Sequence, residues 1–365
     1  MSEQTPLADF HRVNGAVFEE RHGELLVANF GYPTREYWAV RSAVGLFDLT
    51  HRGLLQFTGP DRVSFLQGML SNDLNSLMPF DGQYAAILTQ QGKVIADVRV
   101  LCSLNSFYLD FWQNLKIKIL DHLNRYLVAD EVDIADRSGE YAMLSIQGPK
   151  AEALLRKLVG PCELPAQAKQ HTMVTIEQAA VCVVNDSYTG ESGFDLIIPR
   201  ASLQTIAQRL SDIGKEFGVA WVGEEAHNIL RIEAGIPRYG VDFSEENLLL
   251  EAGLKDAVSF TKGCYLGQEV VERIRSRGHV NKKLVGFIVG ATEANLTGDL
   301  IYAGEKEIGQ ITSYALSPAL KQTIALGYIQ KDFWLTGTTV AIKHNGAPIS
   351  VTVADLPFVT ARASS

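Results

Sequence analysis

The 365 residues exceed one ordinary core, so two or three domains are expected; with 46% hydrophobic and 21% charged residues the composition is that of a soluble globular protein. The formal charge of −9 argues against nucleic acid as an obligatory general partner, and four cysteines without a C-x-x-C pair fit neither a zinc site nor a disulfide framework, so no metal is expected. No run of about 18 apolar residues is present and residues 1–9 lack an apolar run behind a basic start, which places the protein in the cytoplasm and off the membrane.

In chain order, residues 16–50 read as a helical and loop segment. Residues 54–58 are a strand entering Gly59-Pro60 and a helix that carries Val63, Phe65, Leu66, Met69 and Leu70. Residues 144–147 lead likewise into Gly148-Pro149 and a helix with Ala153, Leu154, Leu155 and Leu158, 89 positions later. Proline is tolerated there because first-turn N–H groups have no intrahelical partner. A hairpin at 84–88 and 94–101 is echoed at 181–185 and 194–198, Gly92 matching Gly190 and Asp97 matching Asp195 at an offset of 98. Amphipathic helices follow, at 115–127 and 203–217. Strand, helix, hairpin, helix, given twice, predicts two pseudo-symmetric α+β halves on largely antiparallel sheets. From residue 283 onward, short strands at 284–289, 306–311, 324–329, 338–342 and 349–353 alternate with turn residues, which predicts a small all-β barrel.

The densest chemistry is Lys262-Gly263-Cys264-Tyr265-Leu266-Gly267-Gln268-Glu269. Val270, Val271 and Ile274 share one helical face, so a helix is expected to begin near Cys264. Its first-turn amides, the helix dipole and nearby basic charges would favour the thiolate below the free value of about 8.5. A small residue buried at a glycine-flanked turn is the alternative reading. A basic run follows, Arg273, Arg275, Arg277, His279, Lys282 and Lys283; such runs are most often solvated faces.

Lys-Gly-Cys-Tyr-x-Gly-Gln-Glu followed by spaced arginines resembles the signature of the YgfZ-type folate-binding proteins, relatives of the glycine-cleavage T-protein (aminomethyltransferase). The resemblance implies a T-protein-like three-domain architecture. Residues 1–50 and 139–280 would form a discontinuous, folate-binding α+β domain, 51–138 a second, both ferredoxin-like, and 283–361 the C-terminal β-barrel. It implies tetrahydrofolate as ligand. Glu191, in a Thr-Gly-Glu-x-Gly segment like the one whose glutamate contacts the pterin in the T-protein, is a candidate to accept two parallel hydrogen bonds from the guanidine-like pterin edge. The same segment is also a good hairpin turn. Tyr84 and Asp97 resemble a pair lining the folate pocket, the aspartate assisting transfer. Asn72 matches the family too, although Asn72-Asp73 also suits a helix end. Arg231 matches an Arg-x-Glu-Ala-Gly segment and would suit a folate carboxylate; pairing with Glu233 or Asp242 is the alternative.

Two departures stand out: Ala96 where the T-protein has a second aspartate, and His227 where it has an arginine. With the cysteine motif they favour a tetrahydrofolate-binding accessory protein over a transferase. Such a protein would act in assembly or repair of iron–sulfur enzymes, with effects on tRNA modification, taking client proteins or assembly factors as partners and using Cys264 and Asp97 as reactive groups. The alternative is an aminomethyltransferase passing a one-carbon unit to tetrahydrofolate. A weak RNA contact through residues 273–283 is a third expectation.

Overall fold

The computed structural model of the chain describes residues 3–21, 24–278, 280–290, 292 and 294–360. Its first elements are β1 (Glu3–Gln4), α1 (Ala8–Val13), β2 (Val17–Arg21), β3 (Glu24–Asn29), α2 (Pro33–Ser42) and β4 (Val44–Asp48). Strands β2 and β3 correct the helical-and-loop reading of residues 16–50. They pair antiparallel in a small β1-β3-β2 sheet, and strands so short offer little period to read.

The first α+β half comprises β5 (Arg52–Thr58), α3 (Arg62–Met69), β6 (Gly82–Leu88), β7 (Val94–Cys102), β8 (Phe107–Trp112), α4 (Lys116–Tyr126) and β9 (Asp133–Asp136), with sheet order β6-β7-β8-β5-β9. The second comprises β10 (Tyr141–Gln147), α5 (Ala151–Val159), β11 (His171–Ile176), β12 (Ala179–Asn185), β13 (Gly193–Pro199), α6 (Leu203–Gly214) and β14 (Val219–Val222), in the order β11-β12-β13-β10-β4-β14. Pseudo-symmetry is therefore real, but each copy holds a three-strand meander where one hairpin was expected. Strand β7 corresponds to β12, and β8 to β13. Asp97 on β7 and Asp195 on β13 are not equivalent, and their match at an offset of 98 is incidental. The Gly-Pro turns do correspond. Gly59 and Gly148 have φ of 98° and 131°. A Cβ there would lie 2.1 Å from the Glu131 carbonyl oxygen and 2.6 Å from that of Ala43, so both turns require glycine.

Helices α3 and α4 cover one face of the first sheet, and α5 and α6 one face of the second. The two remaining faces meet, packing Phe47, Leu54, Leu101, Met143, Val184 and Ile197 between them. Alternation sorts β7 accordingly: Ala96, Val98 and Val100 enter the helix-covered core, while Asp97, Arg99 and Leu101 turn toward the other sheet. This reverses the weight given to Ala96. A carboxylate at that position would be buried among Phe65, Leu66 and Ile119, on the opposite face from Asp97.

After α7 (Glu224–Glu233), an irregular stretch and α8 (Gln268–Arg277), the chain closes a six-stranded barrel. Its strands are β15 (Lys282–Gly290), β16 (Leu300–Ala303), β17 (Lys306–Ser317), β18 (Gln322–Gln330), β19 (Thr339–His344) and β20 (Ala347–Ala354). Only the four-residue β16 went unread in the sequence. The fold class is thus the expected one, two α+β halves and a C-terminal all-β barrel. Among the described residues no helix is long and apolar enough to cross a membrane.

Candidate functional site

Strand register gathers charge on the inner face of the first sheet. Tyr84 pairs with Arg99, Arg99 with Asp110, and Arg52 with Trp112, while Asp97 lies two residues before Arg99 on the same side. Tyr84 Oη donates to Asp97 Oδ2 at 2.8 Å, and Asp97 Oδ1 is buried without a partner. From the second sheet, Tyr188 Oη donates to Asp195 Oδ2 at 2.7 Å; Asp195 Oδ1, beside Ser145, meets no donor in hydrogen-bonding geometry. Arg99 ties the sheets together, reaching Asp110 at 2.7 Å, Asp186 at 2.8 Å and Asp195 at 2.5 Å. Arg52 holds Asp110 at 2.6 Å, and Lys169 pairs with Asp186.

Tyr84, Asp97, Arg52 and Tyr188 lie deep in the protein yet keep accessible surface, so they border a recess between the sheets. Burial pushes the Asp97 carboxyl above the usual aspartate range, opposed by the Tyr84 hydrogen bond and the Arg52 charge. Burial raises Asp195 as well, despite Arg99, whereas Asp186, against its own burial, is held low by Arg99 and Lys169. Trp112 forms an aromatic wall, with the Arg52 and Arg238 guanidinium carbons each 5.4 Å from a ring centroid and the His51 ring stacked on it at 5.0 Å. Burial keeps His51 neutral, with its pKa pulled down to about 4.

The other expected ligand residues are engaged in holding the architecture. Glu191 is buried, and its Oε1 accepts from Arg41 at 2.7 Å; Arg41 also donates to the Thr189 carbonyl at 3.1 Å and to Glu233 at 2.5 Å. Glu233 in turn accepts from Tyr37 at 2.8 Å and from Ser317 on β17 at 2.5 Å, so Glu191 belongs to a network joining α2, α7 and the barrel. Arg231 pairs with Asp242 at 2.5 Å, and Asp242 accepts from Thr312 and Ser313 of the barrel. His227 is buried edge-on to Phe47, 3.3 Å from Glu224, and burial lowers its pKa. Arg238, which pairs with Glu224 at 2.6 Å, is the cation of this group that reaches the Trp112 wall. Asn72 Nδ2 donates to the Tyr84 carbonyl at 2.8 Å and to that of Asp256 at 3.0 Å, bracing the strand that presents Tyr84.

The 262–269 segment docks against the same half. The buried Lys262 ammonium donates to the carbonyls of Gln67, Leu70 and Asn72 at 2.7, 2.7 and 2.8 Å, closing the C-terminal end of α3; burial pulls its pKa down to about 8. Tyr265 packs with Ala86, Leu88 and Val94; Ala86 and Leu88 lie on the face of β6 that carries Tyr84. Gly267 has φ 86°, and a Cβ there would fall 2.6 Å from the Thr89 carbonyl oxygen. That left-handed glycine, not the cysteine, caps α8, which corrects the expected helix start at Cys264. Cys264 is exposed three residues before the cap, outside the reach of the first-turn amides. In the basic run Arg275 lies over the Phe260 ring and beside Glu272, while Lys282 and Lys283 lie over Tyr328 and Trp334. His279 and the side chain of Arg277 lie outside the described residues.

Sequence reading missed Arg52, Arg99, Asp110, Trp112, Tyr188 and Asp195 because they come from separate strands and one turn. One signal was available: Asp97 and Arg99 are charges at every second position of an otherwise apolar central strand, and such charges must find partners. The recess brings a partly accessible aspartate, with one carboxylate oxygen buried and unpaired, beside two tyrosine hydroxyls, a set that suits a flat ligand with an N–H edge. Among the described residues no group of His, Cys, Asp and Glu could hold a metal ion.

Residues 7–262 match the family described as the GCVT N-terminal domain, and residues 282–360 match the glycine cleavage T-protein C-terminal barrel domain. An aminomethyltransferase of Caldanaerobacter subterraneus subsp. tengcongensis is 31% identical over 98% of this chain and 96% of its own length. Another from Rubrobacter xylanophilus is 32% identical, over 97% and 94%. The crystal structure of glycine cleavage system aminomethyltransferase T from Bartonella henselae shares 25% identity at a TM-score of 0.90, with 99% of both chains covered.

Proposed function

From the premise that this chain belongs to the glycine cleavage T-protein family, we propose that it binds tetrahydrofolate between its two α+β sheets and transfers a one-carbon unit to it from an aminomethyl donor. The observation that carries this reading is Asp97, deep between the sheets with Oδ1 buried and unpartnered while Tyr84 holds Oδ2. Reduced folate would supply the ring N–H donors and the nitrogen that takes up the one-carbon unit. Asp97 accepts an N–H there, and burial raises its pKa against the Tyr84 hydrogen bond and the Arg52 charge, which strengthens it as a base. Tyr84 orients the carboxylate, while Trp112, stacked by His51 and covered by Arg52 and Arg238, holds Arg52 in place near Asp97. Ala96 does not count against transfer, since position 96 faces the core. Mixing the protein with tetrahydrofolate and an aminomethyl-loaded lipoyl carrier protein tests this: methylene-tetrahydrofolate should form well above the protein-free rate, and its absence would refute the reading.

A second reading, a YgfZ-type accessory protein of iron–sulfur assembly, is favoured by one observation. In the 262–269 motif Lys262, Tyr265, Gly267 and Gln268 are anchored to the fold, and the Cys264 thiol is exposed. Iron–sulfur clients or assembly factors would then be the partners, with RNA met weakly through the basic run at 273–283. Cys264→Ala separates the readings. It should leave one-carbon transfer intact under the first and abolish support of an iron–sulfur enzyme in cells under the second.

A further inference from the structure

The barrel packs its outer face against α7 and the irregular stretch behind it. Leu284, Leu326 and Tyr328 of the barrel meet Ile232 of α7, and Asp242 accepts hydrogen bonds from Thr312 and Ser313. Beside that latch the walls part into a cleft of about 420 Å³, bounded by residues 240–247 on one side and by barrel strands β15 to β18 on the other. Tyr84, Asp97, Arg52 and Tyr188 take no part in its lining, so it is separate from the recess between the sheets. Small-molecule sites favour domain joints and occupy roughly 300–1,000 Å³.

Four charged side chains line this cleft, and only one of them is matched. Asp242 pairs with Arg231 at 2.5 Å. Lys282 opens β15, Glu307 stands on β17 and Glu246 on the facing loop; all three are exposed, and none forms an ion pair with another described residue. One ammonium and two carboxylates therefore face open space. Tyr328, 7% exposed, lies beneath them, with Lys282 Nζ 5.2 Å from its ring centroid. Its Oη is buried without a partner. Burial, with the Asp242 and Glu251 charges, raises its pKa, so the hydroxyl keeps its hydrogen and lacks an acceptor for it. A spare hydroxyl donor next to an unpaired ammonium calls for an anion, and carboxylates on two opposed walls call for cations.

We propose that this cleft binds a free basic α-amino acid such as arginine: its carboxylate is taken by Lys282 and the Tyr328 hydroxyl, and its α-ammonium and side-chain cation by Glu246 and Glu307. Such a ligand carries two positive charges and one negative, the complement of the three unmatched groups. A simple anion would meet two carboxylates, and a simple amine would leave Lys282 unmatched, so neither fits as well. Because the ligand touches the barrel and the facing loop at once, its binding stabilises the joint between them. The proposal is independent of the folate reading, since no residue of the recess enters it.

The test is calorimetry and thermal unfolding of the full chain with three related probes: L-arginine, agmatine, which lacks the carboxylate, and L-citrulline, whose side chain is uncharged. Arginine should bind with a dissociation constant on the order of 1 mM or tighter and raise the melting temperature, while the other two bind roughly tenfold more weakly. Lys282→Met should erase the preference for arginine over agmatine. Glu246→Gln combined with Glu307→Gln should erase the preference for arginine over citrulline. Tyr328→Phe should weaken arginine binding and leave the ligand-free protein at least as stable as the parent, because it removes an unmatched hydroxyl. If Tyr328→Phe does not fold, the variants at the three exposed positions decide. No binding of arginine, equal binding of all three probes, or preferences that survive these substitutions would overturn the proposal and leave the cleft a plain gap between barrel and loop.

Discussion

Asp97→Asn should make the protein more stable and worse at its task. The parent carboxyl is enclosed, receives one hydroxyl donor and has no cation of its own, and its pKa in the folded state is raised. The sign follows from linkage. Between the unfolded value of about 3.9 and the raised folded value, the folded protein holds a proton that the unfolded chain releases, so stability falls as pH rises through that window. Above it the penalty is constant at about 1.4 kcal/mol per unit of elevation. Asparagine removes that penalty, and its carbonyl can still accept from Tyr84. At pH 7.5 a gain in stability is expected, read as a higher melting temperature than the parent's and shrinking toward zero near pH 4. Folate binding should move the other way. Losing an ionised acceptor costs about 1.5–3 kcal/mol, a weakening of roughly 10- to 150-fold. Thermal unfolding from pH 4 to 8 and calorimetry with tetrahydrofolate measure the two halves. A variant destabilised by the same amount at every pH would refute the reasoning, since Asp97 would then be an ordinary satisfied scaffold group.

Other substitutions separate scaffold from site. Lys262→Met leaves three carbonyls at the end of α3 without their donor and should cost about 2–3 kcal/mol in urea unfolding. Because burial pulls Lys262 down to about 8 against an ordinary value near 10.4, the parent should also gain stability as pH rises between those values, a gain absent from the variant. Arg231→Met strands Asp242 in the interface with the barrel and should cost about 3 kcal/mol, with the barrel losing protection from hydrogen exchange first. Glu191→Gln should lower stability through Arg41 by about 2 kcal/mol; equal stability in parent and variant would mean that this network does not join the barrel to the rest.

The barrel and the two halves were legible because period-2 alternation and helical amphipathicity are local signals, and Gly59-Pro60 and Gly148-Pro149 mark the same turn in both copies. One strand of each meander was not, β8 in the first copy and β11 in the second. Strand β8 follows only a short polar turn, and its aromatic run merges with the helix behind it. Tyr84 and Asp97 were singled out through short motifs, but whether a matched residue meets a ligand or a neighbour depends on pairing across the sheets. Arg231 and Glu191 were matched by motif as well, yet they hold the barrel in place, through Asp242 and Arg41. Cys264 shows the limit of local reasoning most plainly: a glycine in left-handed conformation at position 267, forced by the close Thr89 carbonyl, moves the helix start past it.

A crystal structure of the protein with bound tetrahydrofolate tests the central claim most directly. The account predicts the pterin between the sheets, with a ring N–H within about 3 Å of Asp97 Oδ1. A folate bound elsewhere on the chain, with Asp97 still contacted by Tyr84 alone, would contradict it.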